Sequence, residues 1–405
     1  MVQSPVWLMN ALAGMVAIVA IELVRDSYHA LSHVWPLLYR LHVWHHRVFR
    51  PDLSVKNETI YRQAHWYNDV PESLVMLSFA LLWVWAIAPL GIAPWSLSLG
   101  IIYALGFLAT GMARGSGWLD WTDFTHKAGP FAAVPAPWLV NRSYHWRHHF
   151  DNQDAYYCGT LSIVDKILGT ALSLKGKRIA VTGASGTLGR ALLQVLSDRG
   201  AKVTAFTSGT EPITLAGQAT PIPTFTWSVG QEAELAAELE NIDILILNHG
   251  LNVHGQRDEG AIARSYEVNA FSHWRWLELF LKTVKTNKDI ATKEVWLNTS
   301  EAEVMPAVSP LYELSKRAIG DLVTLKRLDA PCVIRKLILG PFKSNLNPIG
   351  VMSADWVAQQ IVSLAVRDVR NIIVTINPLT YLLFPLKELR VSLYFRWFSR
   401  GKIKK

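Results

Sequence analysis

The chain is short of cysteine, of acid and of charge in general, and each shortage narrows what it can be. Its 405 residues include two cysteines, Cys158 and Cys332, which fall in stretches of different character. No disulfide framework is expected, and a reducing compartment is the natural setting. Lys and Arg outnumber Asp and Glu by 40 to 32, for a net charge of +8. The surplus sits beside apolar segments, around residues 40–62 and 387–405, where contact with a cytoplasmic membrane face accounts for it, so no nucleic-acid partner is expected. The N-terminus lacks a basic start and a small-residue cleavage site, so a removable signal peptide is not expected either. No flavin or iron–sulfur motif is present.

What the chain has is apolar length, confined to its first half. Residues 6–24 carry Glu22 as their only charge, enough for a membrane helix. Residues 74–90 and 95–112 are two further apolar runs, joined by a short GIAPW turn into a hairpin that enters and leaves on one side. Lys and Arg gather in the loops after the first and third runs and are nearly missing on the other side. The expected topology is therefore multi-pass, with the histidines and the C-terminal half on the cytoplasmic side. Residues 118–137, broken by Gly and Pro, are too short to span again and are expected at the interface. The alternative is that these runs are core helices of a soluble protein.

Ten of the thirteen histidines precede residue 150. His29 and His33 are spaced i, i+4, and His42, His45 and His46 are spaced i, i+3, i+4, so on helices each set points to one face. His145, His148 and His149 repeat the H-x-x-H-H spacing in SYHWRHHF. A single histidine in such a place is more often a side chain at the membrane surface than a ligand. Phased clusters between membrane helices instead predict one metal centre gathered from several helices, since neutral imidazole suits iron, copper or zinc.

The last cluster continues as HWRHHFDNQDAYYCGTLSIVDKILGT, closing on D-x-x-x-G-T at Asp165 to Thr170. In that ending, and in the order of its boxes, the chain resembles the fatty acid hydroxylase and sterol desaturase superfamily over roughly residues 5 to 172. The resemblance implies a nonhaem diiron site that splits O2 and attacks a C–H bond of a lipid, by hydroxylation or desaturation. Its ligands would be His29, His33, His42, His45, His46, His126, His145, His148 and His149. His65, in RQAHWYND, falls near another family histidine and is expected beside the ligands rather than among them. Electrons would come from an outside donor such as a ferredoxin or cytochrome b5.

The second half begins KGKRIAVTGASGTLG, a strand, a Gly-rich turn and a helix start, the layout that seats a pyrophosphate on a helix N-terminus. A strand ending Asn248-His249-Gly250, then Asn269 in YEVNA, a strand ending at Ser300, and Tyr312-x-x-Ser315-Lys316 follow in order. Together they resemble the short-chain dehydrogenase/reductase family over about residues 175–345. The resemblance implies NADP or NAD, with Gly183, Ser185, Gly186, Thr187, Leu188 and Gly189 at its phosphates and Asn248, Gly250 and Lys316 further along it. Tyr312 would be the general acid/base, Ser300 the partner of the substrate oxygen, and Asn269 the holder of a relay water. Lys316, one helical turn from Tyr312, is expected to lower the phenol's pKa. Thr187 stands where many members have Gly. Ser300 is one residue closer to Tyr312 than usual, leaving Thr299 open as the partner. VTAFTSG has no carboxylate to grip a ribose 2′-hydroxyl, while Ser208 and Arg190 suit a 2′-phosphate, which favours NADP.

The expected architecture is a membrane α-helical domain of the histidine-box diiron type over residues 1–172. An α/β Rossmann domain with a doubly wound parallel sheet follows at 173–378, then a basic amphipathic tail at 379–405 that lies on the membrane or docks as a core helix. The expected activity is O2-dependent hydroxylation or desaturation of a sterol, carotenoid or fatty acyl lipid coupled to NAD(P)-dependent alcohol/carbonyl interconversion. Two rivals are an aldehyde-deformylating, alkane-forming enzyme and a membrane enzyme regulated by an NADP(H)-sensing domain.

Overall fold

One unbroken helix, α1 (Ser4–Val34), carries the first apolar run into the first histidine pair. The computed structural model describes residues 4–400, so residues 401–405 of the tail lie outside the described residues. The apolar run ends at residue 24, but nothing in RDSYHALSHV breaks a helix, and α1 continues to Trp35. There Pro36 forces the preceding residue into an extended conformation, φ −98° and ψ 114°. Helix α2 (Pro36–Arg47) then turns back. Asn57 caps α3 (Glu58–Ala64) by accepting from the Thr59 and Ile60 amides at 2.8 and 3.2 Å. A π-helical turn, His65–Asp69, links α3 to α4 (Val70–Ile87), and α5 (Pro94–Gly115) completes a hairpin through Gly91 at φ 74°.

Three helical stretches are long and apolar enough to cross a membrane, Val6–Val34, Glu58–Leu90 and Pro94–Gly115. They pack through small residues: a Cβ on Gly100 would lie 2.8 Å from Ile21 Cδ1 and 3.4 Å from the Ala17 Cβ. The charges on α1 are paired. Arg25 binds Glu22 at 2.7 Å and Asp26 at 3.2 Å, and the Tyr103 hydroxyl donates to Glu22.

Asn141 caps α6 (Arg142–Phe150), whose residues from Ser143 to His149 are all buried. After α7 (Ile163–Leu168) the D-x-x-x-G-T close shows its purpose. Buried Asp165 accepts from the Tyr144 hydroxyl, the Tyr157 and Cys158 amides and the Thr170 hydroxyl at 2.7 to 2.9 Å, tying the chain after α6 back onto it.

The chain divides into two units, Met1–Ala171 and Leu172–Lys405. In the second, strands and helices alternate as β1 (Arg178–Thr182), α8 (Thr187–Asp198), β2 (Lys202–Thr207), β3 (Thr224–Thr226), α9 (Ala236–Leu239) and β4 (Ile244–Leu247). They continue as α10 (Glu259–Tyr266), α11 (Ser272–Leu281), α12 (Asn287–Thr292), β5 (Glu294–Asn298), α13 (Pro310–Lys326), β6 (Val333–Leu339), α14 (Ala354–Ala365), β7 (Asn371–Val374) and α15 (Pro378–Phe398). The seven strands are all parallel in the order β3-β2-β1-β4-β5-β6-β7. The order reverses between β1 and β4, and in such sheets the ligand crevice lies beyond the carboxyl ends of the strands there. One apolar layer joins the sheet to α8 and α14, the other to α11 and α13. This is the doubly wound architecture expected from the strand-turn-helix pattern.

Helix α15 docks by one face. Phe384 is fully buried, and Glu388 binds Lys336 at 2.8 Å and Arg327 at 3.1 Å. Its other face, with Leu382, Leu386, Leu389 and Trp397, is exposed.

Beneath the sheet Arg335, fully buried, binds Glu294 through two contacts of 2.7 and 2.9 Å and Asp368 at 2.7 Å. Glu294→Ala removes the two-contact partner of a buried guanidinium and leaves it Asp368 alone, so it is expected to destabilise this unit by about 3–5 kcal/mol. Thermal unfolding of the purified protein checks this, and an unchanged midpoint would refute it.

Candidate functional site

The two H-x-x-H-H boxes each divide their histidines between two clusters. On α2, His42 and His46, one turn apart, join His29 and His33 of α1, while His45 points elsewhere. On α6 the pair one turn apart, His145 and His149, joins His45 and His126, and His148 crosses to the α1 group. The donor nitrogens of His29, His33, His42 and His148 lie within 4.8 Å of one another, as do those of His45, His126, His145 and His149. His46 stands with the first group, its Nε2 2.9 Å from that of His42 and 3.5 Å from that of His33. All nine histidines singled out in the sequence are thus brought together.

Three tautomers are set by neighbours. Nδ1–H of His148 donates to the Ala155 carbonyl at 2.8 Å, that of His42 to Asn68 Oδ1 at 2.7 Å, and that of His126 to Asp123 at 2.8 Å. Each bond leaves a lone pair on Nε2. Those Nε2 atoms face other Nε2 atoms: His29 to His148 at 3.1 Å, His29 to His42 at 3.2 Å and His126 to His145 at 2.8 Å. Each such pair can share one proton, or a metal ion in its place. Burial also keeps the imidazoles uncharged, pushing His42 down to about 3 and His46 to about 2, with His45, His145, His148 and His149 well below their ordinary range. The donor set, all neutral nitrogen, fits two transition-metal ions.

Sequence reasoning passed over the residues that orient these rings. Asp123 is three residues before His126 in DFTH, and Asn68 and Asp69 sit three and four residues after His65 in HWYND. The π-helical turn re-aims that last trio. His65, 6% exposed, gives Nδ1 to Asp69 and keeps Nε2 without a partner, lining one cavity with His45, His126 and His145.

In the second unit Gly183 has φ 63°, and a Cβ there would lie 2.8 Å from His249 Cα; one on Gly189 would strike the Gly183 carbonyl. The turn Gly183–Gly189, with Ser185, Gly186, Thr187 and Leu188, therefore runs into α8 with its backbone bare, a cradle that fits a dinucleotide phosphate. Beyond β2, Thr207 donates to Ser185 Oγ at 2.8 Å, exposed Arg190 donates to the Ser185 carbonyl at 3.1 Å, and Ser208 is exposed. Asn248 accepts from Asn298 at 3.1 Å, and a Cβ on Gly250 would stand 3.4 Å from Asn269 Oδ1 and 4.0 Å from Lys316 Nζ.

Ser300 is the hydroxyl set beside the Tyr312 phenol, where it draws the phenol's pKa down. Thr299 turns away, donating to the Leu337 carbonyl at 3.3 Å. Asn269 sits in a π-helical turn with both side-chain atoms engaged by the Leu251 backbone at 2.8 Å. It pins the loop after β4. The expectation that Lys316 lowers the phenol's pKa is not met. Lys316 donates to the Asn298 carbonyl at 2.9 Å, with Nζ 5.8 Å from the Tyr312 ring centre, and burial raises Tyr312 while Ser300 pulls the other way. Burial brings Lys316 itself down to about 8.

The fatty acid hydroxylase family matches residues 14–170 and the short chain dehydrogenase family residues 177–331. A monoglucosyldiacylglycerol epimerase of Synechocystis sp. is 61% identical over 97% of this chain and 98% of its own length. A short chain dehydrogenase from Burkholderia cenocepacia solved with NADP is 20% identical, covering 56% of this chain and all of that one, with a TM-score of 0.46. An aldohexose dehydrogenase from Thermoplasma acidophilum is 18% identical, covering 50% and 93%, with a TM-score of 0.40.

Asp123→Asn, which removes the carboxylate behind His126, is expected to weaken the ion of the second histidine group about 10–100-fold and to spare the first. Elemental analysis across a chelator series reads this directly. Parallel loss of both ions, or of neither, would contradict the division into two groups.

Proposed function

The chain belongs to the family of the Synechocystis monoglucosyldiacylglycerol epimerase, proteins that join a fatty acid hydroxylase half to a short chain dehydrogenase half. From that premise we propose that it inverts one secondary carbinol of a hexose carried on a diacylglycerol. The observation that carries this is the Tyr312–Ser300 pair set beside a bare-backbone phosphate cradle, in a chain so close to that relative.

Inversion of a carbinol carbon is redox-neutral. Tyr312 takes the hydroxyl proton as the carbon gives up hydride, and the product is a ketone. The ketone turns over in the site, hydride returns to its other face, and Tyr312 gives the proton back. A nicotinamide dinucleotide, held by the Gly183–Gly189 turn, Asn248 and Lys316, supplies the reversible hydride acceptance. Ser300 holds the sugar oxygen through both halves, which is where the carbonyl charge develops. Asn269 and Gly250 fix the loop after β4 against α13. NADP is favoured over NAD because exposed Arg190 and Ser208 flank a strand end that has no carboxylate.

The membrane half supports a second reading, carried by the convergence of nine imidazoles. They would hold two iron ions, and bound iron supplies O2 activation for hydroxylation or desaturation of a lipid, with electrons from a ferredoxin or cytochrome b5 type of donor. Sequential oxygenation and oxidation of one lipid belongs to this reading. Basic residues beside the spans favour a cytoplasmic placement of the histidines and the dehydrogenase, with the exposed face of α15 against the same leaflet.

The full chain in nanodiscs, given monoglucosyldiacylglycerol and substoichiometric NADP without O2, is expected to yield the epimeric lipid with no net change in cofactor absorbance. Tyr312→Phe should slow this by about 10²–10⁴-fold. Oxygen-18 from O2 in the lipid product, with no epimer formed under any condition, would overturn the epimerase reading.

Cofactor affinity should also depend on pH. Lys316 carries its ammonium below about 8 and loses it above, so NADP binding is expected to weaken as pH rises through that value, whereas Lys316→Arg should hold affinity to higher pH. An affinity that stays flat across that range in the native chain would remove Lys316 from the cofactor site.

A further inference from the structure

The membrane half contains a cavity of about 310 Å³ beside the second histidine group, within the size range of small-molecule sites. A site built to bring an acyl chain to a metal should be walled by hydrocarbon. This one is lined by Arg25, Asp69, Glu72, Thr110, Arg114 and Thr160, next to His45, His126 and His145. All but Thr160 of those six lie on stretches apolar enough to cross a membrane, where charged groups are costly and mark function.

Most of the charges are already partnered. Arg25 serves Glu22, Asp26 and Thr160, and Arg114 donates to Thr122 at 2.8 and 3.0 Å. Asp69 is taken by His65 and Asn68. Two groups are not. The Glu72 carboxyl group makes no hydrogen bond or ion pair among the described residues, and the buried Nε2 of His65, 6% exposed, has no partner. The wall of the cavity therefore holds two polar groups left without a hydrogen-bond partner. Phe49, Tyr61, Phe107 and Phe124 add apolar ring surface to the same wall.

We propose that this cavity binds the glycosyl head of a membrane lipid, whose hydroxyls hydrogen-bond Glu72 and His65 and whose C–H face lies on the aromatic rings. A hydrocarbon chain there would strand a carboxyl group and an imidazole with no partner, whereas a hexose offers both hydroxyls to pair them and a carbon face. The inference rests on the glycolipid reading above and deepens it by giving the head group a holding site in the membrane half, distinct from the residues that invert it.

The test is local to the cavity. Cys158 and Cys332 are buried, so Thr110→Cys in the full chain, in phosphatidylcholine nanodiscs, gives a single reactive thiol on the wall. Its labelling by a small water-soluble methanethiosulfonate is expected to slow at least fivefold with monoglucosyldiacylglycerol and not with diacylglycerol of the same chains. Adding Glu72→Leu should shift half-protection to at least tenfold more glucolipid. Phe124→Cys serves as the second reporter if Thr110→Cys fails to fold. Protection must persist with Tyr312→Phe, so loss of epimerisation leaves this result standing and failure here leaves the epimerase reading standing. Equal protection by diacylglycerol marks an acyl site, full protection by free glucose marks a soluble-sugar site, and no protection marks a water-filled space. Each of those three outcomes overturns the proposal.

Discussion

The first unit depends on bringing nine imidazoles together. Burial strips most of them of charge, neighbours fix the proton on Nδ1 of at least three, and Nε2 atoms approach one another to 2.8 to 3.5 Å. The unit is arranged to hold that convergence. Asp123, Asn68 and the Ala155 carbonyl lock rings from behind, and Asp165 gathers the chain after α6 so that His148 and Ala155 keep their distance. The membrane helices likewise carry Glu22, Arg25 and Asp26 as a closed set, so that the apolar stretches surround a polar interior.

The second unit solves a different problem with the same economy. A parallel sheet buries its strands on both faces, which leaves the carboxyl edge as the place where polar groups can gather. Ser300, Asn298, Asn248 and the Gly-rich turn all lie at that edge, and α13 brings Tyr312 and Lys316 to it. Bringing Lys316 to the Asn298 carbonyl means burying an ammonium, and its proton is held less tightly for it. The two units thus use opposite devices. One presents imidazole nitrogens that suit a cation, the other presents donors and bare backbone that suit an anion.

Much of this was legible in the sequence because it rests on spacing. The i, i+4 histidine pairs, the strand-turn-helix at Gly183 and the order of Asn248, Asn269, Ser300, Tyr312 and Lys316 are periodic or sequential signals, and the structure places them together. What could not be read depends on distance across the fold. The division of each H-x-x-H-H box between two clusters follows from where α1 and α6 pack. That Asn269 spends its amide on Leu251, and that burial raises the Tyr312 phenol against Ser300 alone, are likewise facts of packing. Helix α1 outran its apolar run because hydropathy marks a membrane's limit and not a helix's.

Helix α15 closes the second unit with an ionic clasp. Lys336, in the middle of β6 and fully buried, has Glu388 as its close carboxylate, and Glu388 also meets Arg327. Until residue 388 has been made, Arg327, just after α13, lacks its carboxylate and Lys336 has only Glu303, at 3.6 Å. Domains fold as units during synthesis, from the N-terminus onward. The dehydrogenase half is therefore completed only once α15 has been made, after the membrane half has been translated in full. A truncation before α15 would be a failure of maturation, leaving a translated membrane half joined to an unfinished partner.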